Sequence, residues 1–202
     1  MLNCGICFRP PTERLTEWVQ NTGFAWLAPD DLDARADLLY GAWLAGTCLG
    51  TVTMGMHHRL CHTLGGSFGL PHAATHTVVL PHAMAFNAPS APEAMRAAAA
   101  ALGVDDAPSG LQTLVTRLGG PTALRDLGFA LADVPRAADL ATARPYPNPR
   151  PVDPDGIVEL LRHATEGTQI RPPPPSTSSP AAPAAPAEPA APEVPHQFEE
   201  HR

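Results

Sequence analysis

Between Met56 and Asn87 the chain reads MHHRLCHTLGGSFGLPHAATHTVVLPHAMAFN, and six of its nine histidines fall in this stretch: His57, His58, His62, His72, His76 and His82. Imidazole is the side chain that both ligates metals and exchanges protons near neutral pH, so such a density points to a site rather than to packing. His58 and His62 are four residues apart, as are His72 and His76, so on a helix each pair shares one face. The glycine pair Gly65-Gly66, then Gly69 and Pro71, predict a break between two helices. Two helices meeting at that break would aim several imidazoles at one cleft, with His62 and His72 on the same side.

The elements that must position these residues read as helices throughout. Asp30 or Asp31 can cap a helix with Asp31 and Asp33 in its first turn, continued by an apolar face through Leu38, Leu39, Ala42, Trp43, Ala45 and Leu49. From Leu38 to Met56 there is no charge, and Gly46 and Gly50 have the spacing used for close helix contact. The length of this stretch would allow a membrane span, but four glycines and three threonines make the apolar density low, and a buried core helix is the expectation. Further on, Ser90-Ala-Pro-Glu93 reads as a capping box for a helix from Ala91 to Leu102 stopped by Gly103. Leu111–Leu118 has helical apolar spacing, and Thr122 can cap a short helix ending near Gly128. Arg136–Ala143 and Asp153–Ala164 follow, the last with Asp153 as cap and Pro154 at its first position. No run of alternating β-branched residues demands a strand, so the expected fold class is an all-α helical bundle.

Composition narrows the function classes. Formal charge is −7 and all 13 basic residues are arginine without a basic run, which argues against a nucleic-acid partner. The four cysteines, Cys4, Cys7, Cys48 and Cys61, do not form a disulfide framework and read as reduced thiols of a cytoplasmic protein; Cys4 and Cys7 form a CxxC with no second pair at zinc-finger spacing. The first residues lack the basic segment of a signal peptide. Residues 1–29 stay unassigned, with a helix expected over Thr12–Asn21. Residues 30–167 form the helical domain. Residues 168–202 form a disordered Pro/Ala-rich tail, in which Pro180, Pro183, Pro186, Pro189, Pro192 and Pro195 repeat every third residue as polyproline II does.

The string HHRLCHTLGG followed by LPHAATHTVVLPHA resembles the signature of maleylacetate reductases, a branch of the iron-containing alcohol dehydrogenase superfamily, and the likeness runs from about Asp31 to Glu166. The resemblance implies the C-terminal helical domain of the iron-containing alcohol dehydrogenase and dehydroquinate synthase-like type. It also implies NADH- or NADPH-dependent reduction of the carbon–carbon double bond of maleylacetate to 3-oxoadipate, in aromatic-compound degradation. It places His58 and His72 at metal-ligand positions for iron or zinc and His62 at an active-site position, and on it His62 and His72 are the candidate catalytic acids. The partner it implies is a small-molecule substrate, with a homodimer allowed for.

Two departures from the family pattern stand out. The Asp and His that complete the superfamily's metal site lie on an earlier helix, and no histidine precedes His57, so only His58 and His72 stand at the family's ligand positions. The chain alone is therefore not expected to bind iron or zinc tightly, although His62 and His76 could fill in as ligands. Ala74 also stands where the family carries an acidic residue. No Gly-rich loop after a strand is present to hold a dinucleotide, so the chain reads as a reductase without its nucleotide-binding half, inactive alone. The alternatives are a non-catalytic helical remnant or assembly module and, within the superfamily, an alcohol dehydrogenase lacking the same half.

Overall fold

A computed structural model describes residues 30–172. The expected helix over Thr12–Asn21, the CxxC and the periodic prolines lie outside these residues. Seven α-helices and three short 3₁₀ segments make up the described chain, with no strand among them, as the sequence led us to expect. They are α1 (Leu32–Thr51), α2 (Met56–Phe68), α3 (His72–Asn87), α4 (Pro92–Leu102), α5 (Ala107–Arg117), α6 (Val134–Thr142) and α7 (Pro154–Glu166). No helix among the described residues is long and apolar enough to cross a membrane.

Helix α3 is the hub, packed against α2, α5 and α7, while α6 leans on both α2 and α7. The main core joins Leu60, Cys61 and Leu64 of α2 to Val78, Val79 and Phe86 of α3, and these to Ala137, Ala138 and Ala141 of α6 and Ile157 and Leu161 of α7. A smaller cluster of Met84, Met95, Ala99 and Ala107 seats α4 and α5 on the far side of α3. Small alanines on α4 and α6 let the helices approach closely, and the Leu, Ile and Val side chains fill the space between them.

Cap chemistry explains where the helices start, and where the sequence expectations need correcting. Asp31, not Asp30, caps α1: its carboxylate accepts the backbone N–H groups of Asp33 and Ala34 at 3.0 and 3.1 Å. Asp153 caps α7 as expected, accepting from Gly156 at 2.8 Å with Pro154 in the first turn. The capping box at Ser90 does not form. Ser90 ends the 3₁₀ turn Ala88–Ser90, and the helix opens at Pro92, so the cap position falls on Ala91, which has no side chain to accept. Proline fits the first helical position because its missing N–H would be unpaired there anyway. Asp106 starts α5 earlier than the apolar spacing suggested, accepting from the Ser109 backbone N–H at 3.0 Å and its hydroxyl at 2.6 Å. Thr122 caps nothing; Leu124–Leu127 is a 3₁₀ segment preceded by Ala123 and closed by Gly128.

The larger correction concerns α1. It is a helix but not a buried one: only Ala34 and Gly41 are buried, while Leu32, Leu39 and Trp43 are 76%, 71% and 62% exposed. Its apolar residues spread around the axis instead of forming one stripe, and the described chain lays no other helix along them.

Past Gly167 the chain stays tied to the body. The Gln112 amide donates to the Thr168 carbonyl at 3.0 Å, and its oxygen accepts from the Ile170 N–H at 2.9 Å.

Candidate active site

The break between α2 and α3 works as a hinge fixed by two residues. Helix α2 runs through Gly65 and Gly66 and stops at Gly69, whose φ of 74° is the left-handed conformation that only glycine adopts cheaply. Its N–H donates to the Gly65 carbonyl at 3.1 Å, and the Leu70 N–H to the Leu64 carbonyl at 3.4 Å, which closes the helix end. Pro71 then holds extended backbone, and its carbonyl accepts from both the N–H and the hydroxyl of buried Thr75, at 2.9 and 2.7 Å, to start α3. The two helices thereby lie side by side with their histidine faces adjoining.

Five of the six histidines meet there. Going round, ring centroids are 6.3 Å apart for His58 and His62, 6.2 Å for His62 and His72, 4.3 Å for His72 and His76, and 5.0 Å for His76 and His58. Four imidazoles thus close a ring, two from each helix. His57 sits behind it, edge-on to His76 at 4.8 Å and to His58 at 5.2 Å. His62 and His72 are exposed, whereas His57, His58 and His76 are partly buried. The expectation that His62 and His72 lie on one side holds in the geometry, on an open face of the domain.

Burial and mutual proximity keep the inner imidazoles neutral. His57 is pushed down to about 3, first by burial and then by His76 and His58, against a hydrogen bond with the His76 carbonyl that pulls it up. His76 falls to about 4, by burial first and then by His72, His58 and His62. His58 is lowered as well, by burial and then by His62 and His72. A neutral imidazole carries one N–H and one lone pair, so each of these rings can donate one hydrogen bond and accept another. Such a set can polarise a carbonyl oxygen and relay a proton beside it.

His82 goes elsewhere. It is 5% exposed, and with His163, Phe86, Arg150 and Glu159 it lines a cavity of about 280 Å³ between α3 and α7. Burial, and then the neighbouring His163, hold it down to about 4 against an ordinary value of 6.5. The unfolded chain takes up a proton at this residue below about pH 6.5, whereas the folded chain resists until about pH 4. Stability is therefore full above that window and falls as pH drops through it, by at most about 1.4 kcal/mol per pH unit from this residue. In His82→Gln the urea midpoint is expected to depend less steeply on pH between those limits; equal slopes in the two proteins would contradict the assignment.

Two buried polar atoms near the site gave no signal in the sequence. Arg59 Nε and the Tyr146 hydroxyl are both buried without a hydrogen-bond partner. Burial raises the Tyr146 hydroxyl above its ordinary value, and the Arg59 charge opposes that. Tyr146 comes from an irregular Pro-rich segment, where spacing says nothing about what a side chain faces.

The cofactors implied by the resemblance fit unevenly. The described residues offer no cradle for a dinucleotide: there is no strand to launch a Gly-rich turn, and the Gly65-Gly66 pair lies inside α2. At the metal positions, His58 and His72 supply two donors, short of the three or more protein ligands of a zinc site.

The sequence matches the pattern of the Fe-containing alcohol dehydrogenase family, C-terminal, over residues 19–165, starting inside the stretch left unassigned above. The chain belongs to the iron-containing alcohol dehydrogenase family. Within it the chain is maleylacetate-reductase-like, and it corresponds to the C-terminal helical part. It is 58% identical over 139 residues to maleylacetate reductase 1 of Rhodococcus opacus, covering 69% of this chain and 38% of that one. With the maleylacetate reductase of Burkholderia cepacia it shares 56% over 144 residues, covering 71% and 40%. The crystal structure of maleylacetate reductase from Agrobacterium tumefaciens superposes with a TM-score of 0.74 at 45% identity, over 79% of this chain and 45% of that chain. A 1,3-propanediol oxidoreductase superposes with a TM-score of 0.69 at 27% identity, over 75% and 43%. The chain thus spans less than half the length of these relatives.

Proposed function

We propose that this chain is the substrate-acid half of a maleylacetate reductase: it binds the keto acid at the imidazole ring and supplies the protons, while a nucleotide-binding part supplies the hydride. The observation that carries the reading is the closed ring of His58, His62, His72 and His76, with His62 and His72 on its exposed side. Reduction of a carbon–carbon double bond conjugated to a ketone builds negative charge on the keto oxygen, and the adjoining carbon then takes a proton. N–H donors placed around that oxygen stabilise the charge, and an exposed imidazole can deliver the proton. His62 and His72 have those roles, with His58 and His76 holding their orientation from behind.

A second reading has its own support. The uncovered apolar side chains of α1, Leu32, Leu39 and Trp43, suit an assembly module that turns over nothing. Titration with 3-oxoadipate, followed by the imidazole resonances, separates the two. The first reading expects saturable shifts at His62 and His72 larger than any at His82. No shift, or shifts confined to His82, would leave the assembly reading.

A further inference from the structure

The donors that converge most closely are not those of the superfamily positions. One nitrogen each of His57 and His76 and the sulfur of Cys61 lie within 4.8 Å of one another. We infer that His57, Cys61 and His76 form a binding site for one zinc ion, separate from the His58/His72 pair.

His57 and Cys61 are four residues apart on α2, and His76 faces them from α3, so two packed helices hold the three groups. His57 Nε2 lies 3.3 Å from the His76 backbone carbonyl. A carbonyl only accepts, so Nε2 carries the proton and the lone pair lies on Nδ1. This is the outer hydrogen bond that sets the tautomer of metal-ligating histidines.

An independent feature is His76 Nε2, which is buried with no hydrogen-bond partner. The alternative is that Cys61 simply fills the core, as buried cysteines do. Core filling does not call for two imidazole nitrogens within 4.8 Å of the sulfur, nor does it account for the unpaired nitrogen of His76. A zinc ion would take one donor from each of the three groups, and Nε2 is the His76 nitrogen left without a partner.

Zinc suits the set: one sulfur and two imidazoles match its ligand preferences, with bonds of about 2.3 Å to sulfur and about 2.0–2.1 Å to nitrogen. Those lengths put tetrahedral donors about 3.5 Å apart, so small side-chain rotations must draw the three groups inward. Binding exchanges the S–H bond of Cys61 for an S–Zn bond and releases one proton to solvent. Three protein donors leave a fourth position open. The expectation that the chain alone binds no iron or zinc tightly rests on the family's ligand positions, and this donor set departs from it.

The test uses the full chain with Cys4, Cys7 and Cys48 replaced by serine, so that Cys61 is the sole thiol. After chelator treatment it is titrated with Co²⁺ and then Zn²⁺. One equivalent of Co²⁺ is expected to give thiolate-to-cobalt charge-transfer absorption together with the visible bands of a four-coordinate ion. Zn²⁺ abolishes both and raises the Tm. Adding Cys61→Ser removes the charge transfer, and His76→Gln weakens binding by about tenfold or more. Visible bands without charge transfer would place the ion on other imidazoles and overturn the proposal, as would unchanged affinity in His76→Gln. Should Cys61→Ser lose its helical circular dichroism, His76→Gln, at a partly exposed position, decides the question alone.

Discussion

Alanine at His72 or at His62 is expected to lower turnover by about 10²–10⁴-fold in an enzyme whose helical part is this chain, the range that a positioned proton donor contributes. The protein to use is a chimera in which residues 31–166 replace the corresponding part of the Agrobacterium tumefaciens maleylacetate reductase, which is 45% identical to the chain. The expectation rests on position. His62 and His72 come from different helices with rings 6.2 Å apart, and they are the exposed members of the imidazole ring, so they are the ones a substrate meets first. Because the two act on one substrate, their effects should not add: the double variant should be little worse than the poorer single one. A replacement that only raises KM would make them binding residues. His82→Gln is the control, since His82 lines a different cavity.

The second large effect is structural. Leu64→Ala should destabilise the folded chain by about 2–5 kcal/mol, read from urea unfolding, because the side chain is fully buried in the main core and leaves a hole that its neighbours fill only in part. Leu64 lies on the core side of α2, opposite His58 and His62, and its carbonyl accepts the Leu70 N–H that helps to close the helix end. The same variant should therefore also loosen the angle at which the two histidine faces meet. Leu39→Ala, at an exposed position on α1, should change stability by less than about 0.5 kcal/mol in the isolated chain.

How much of this was legible in the sequence depended on whether the signal was local. The α2–α3 break was readable because Gly69 permits the left-handed helix end and Pro71 fixes its own backbone, whatever surrounds them. The pairing of His62 with His72 followed from two i,i+4 patterns facing one such break. Capping was less readable. Ser90-Ala-Pro-Glu93 has the composition of a capping box, but Pro92 claims the first helical position and moves the cap onto Ala91. Asp106 gives no cap signal in the sequence, because the first turn of α5, Ala107-Pro108-Ser109, lacks the apolar spacing that marks a helix. Burial of α1 was the wrong inference, since an uncharged stretch says that a helix can be covered, not that a covering element is at hand. Cys61 as a donor could have been found from its four-residue spacing to His57. That His76 reaches the same point could not, because it depends on how α2 and α3 pack.

The central claim is that these helices are the acid-supplying part of a maleylacetate reductase, and the rate of NADH oxidation with maleylacetate by the unsubstituted chimera tests it most directly. Turnover within about tenfold of the intact relative is expected, alongside none by this chain alone above a His62→Ala control, since orienting a hydride donor needs a bound cofactor. A folded chimera that oxidises no NADH, or one whose rate is untouched by alanine at both His62 and His72, would contradict the account.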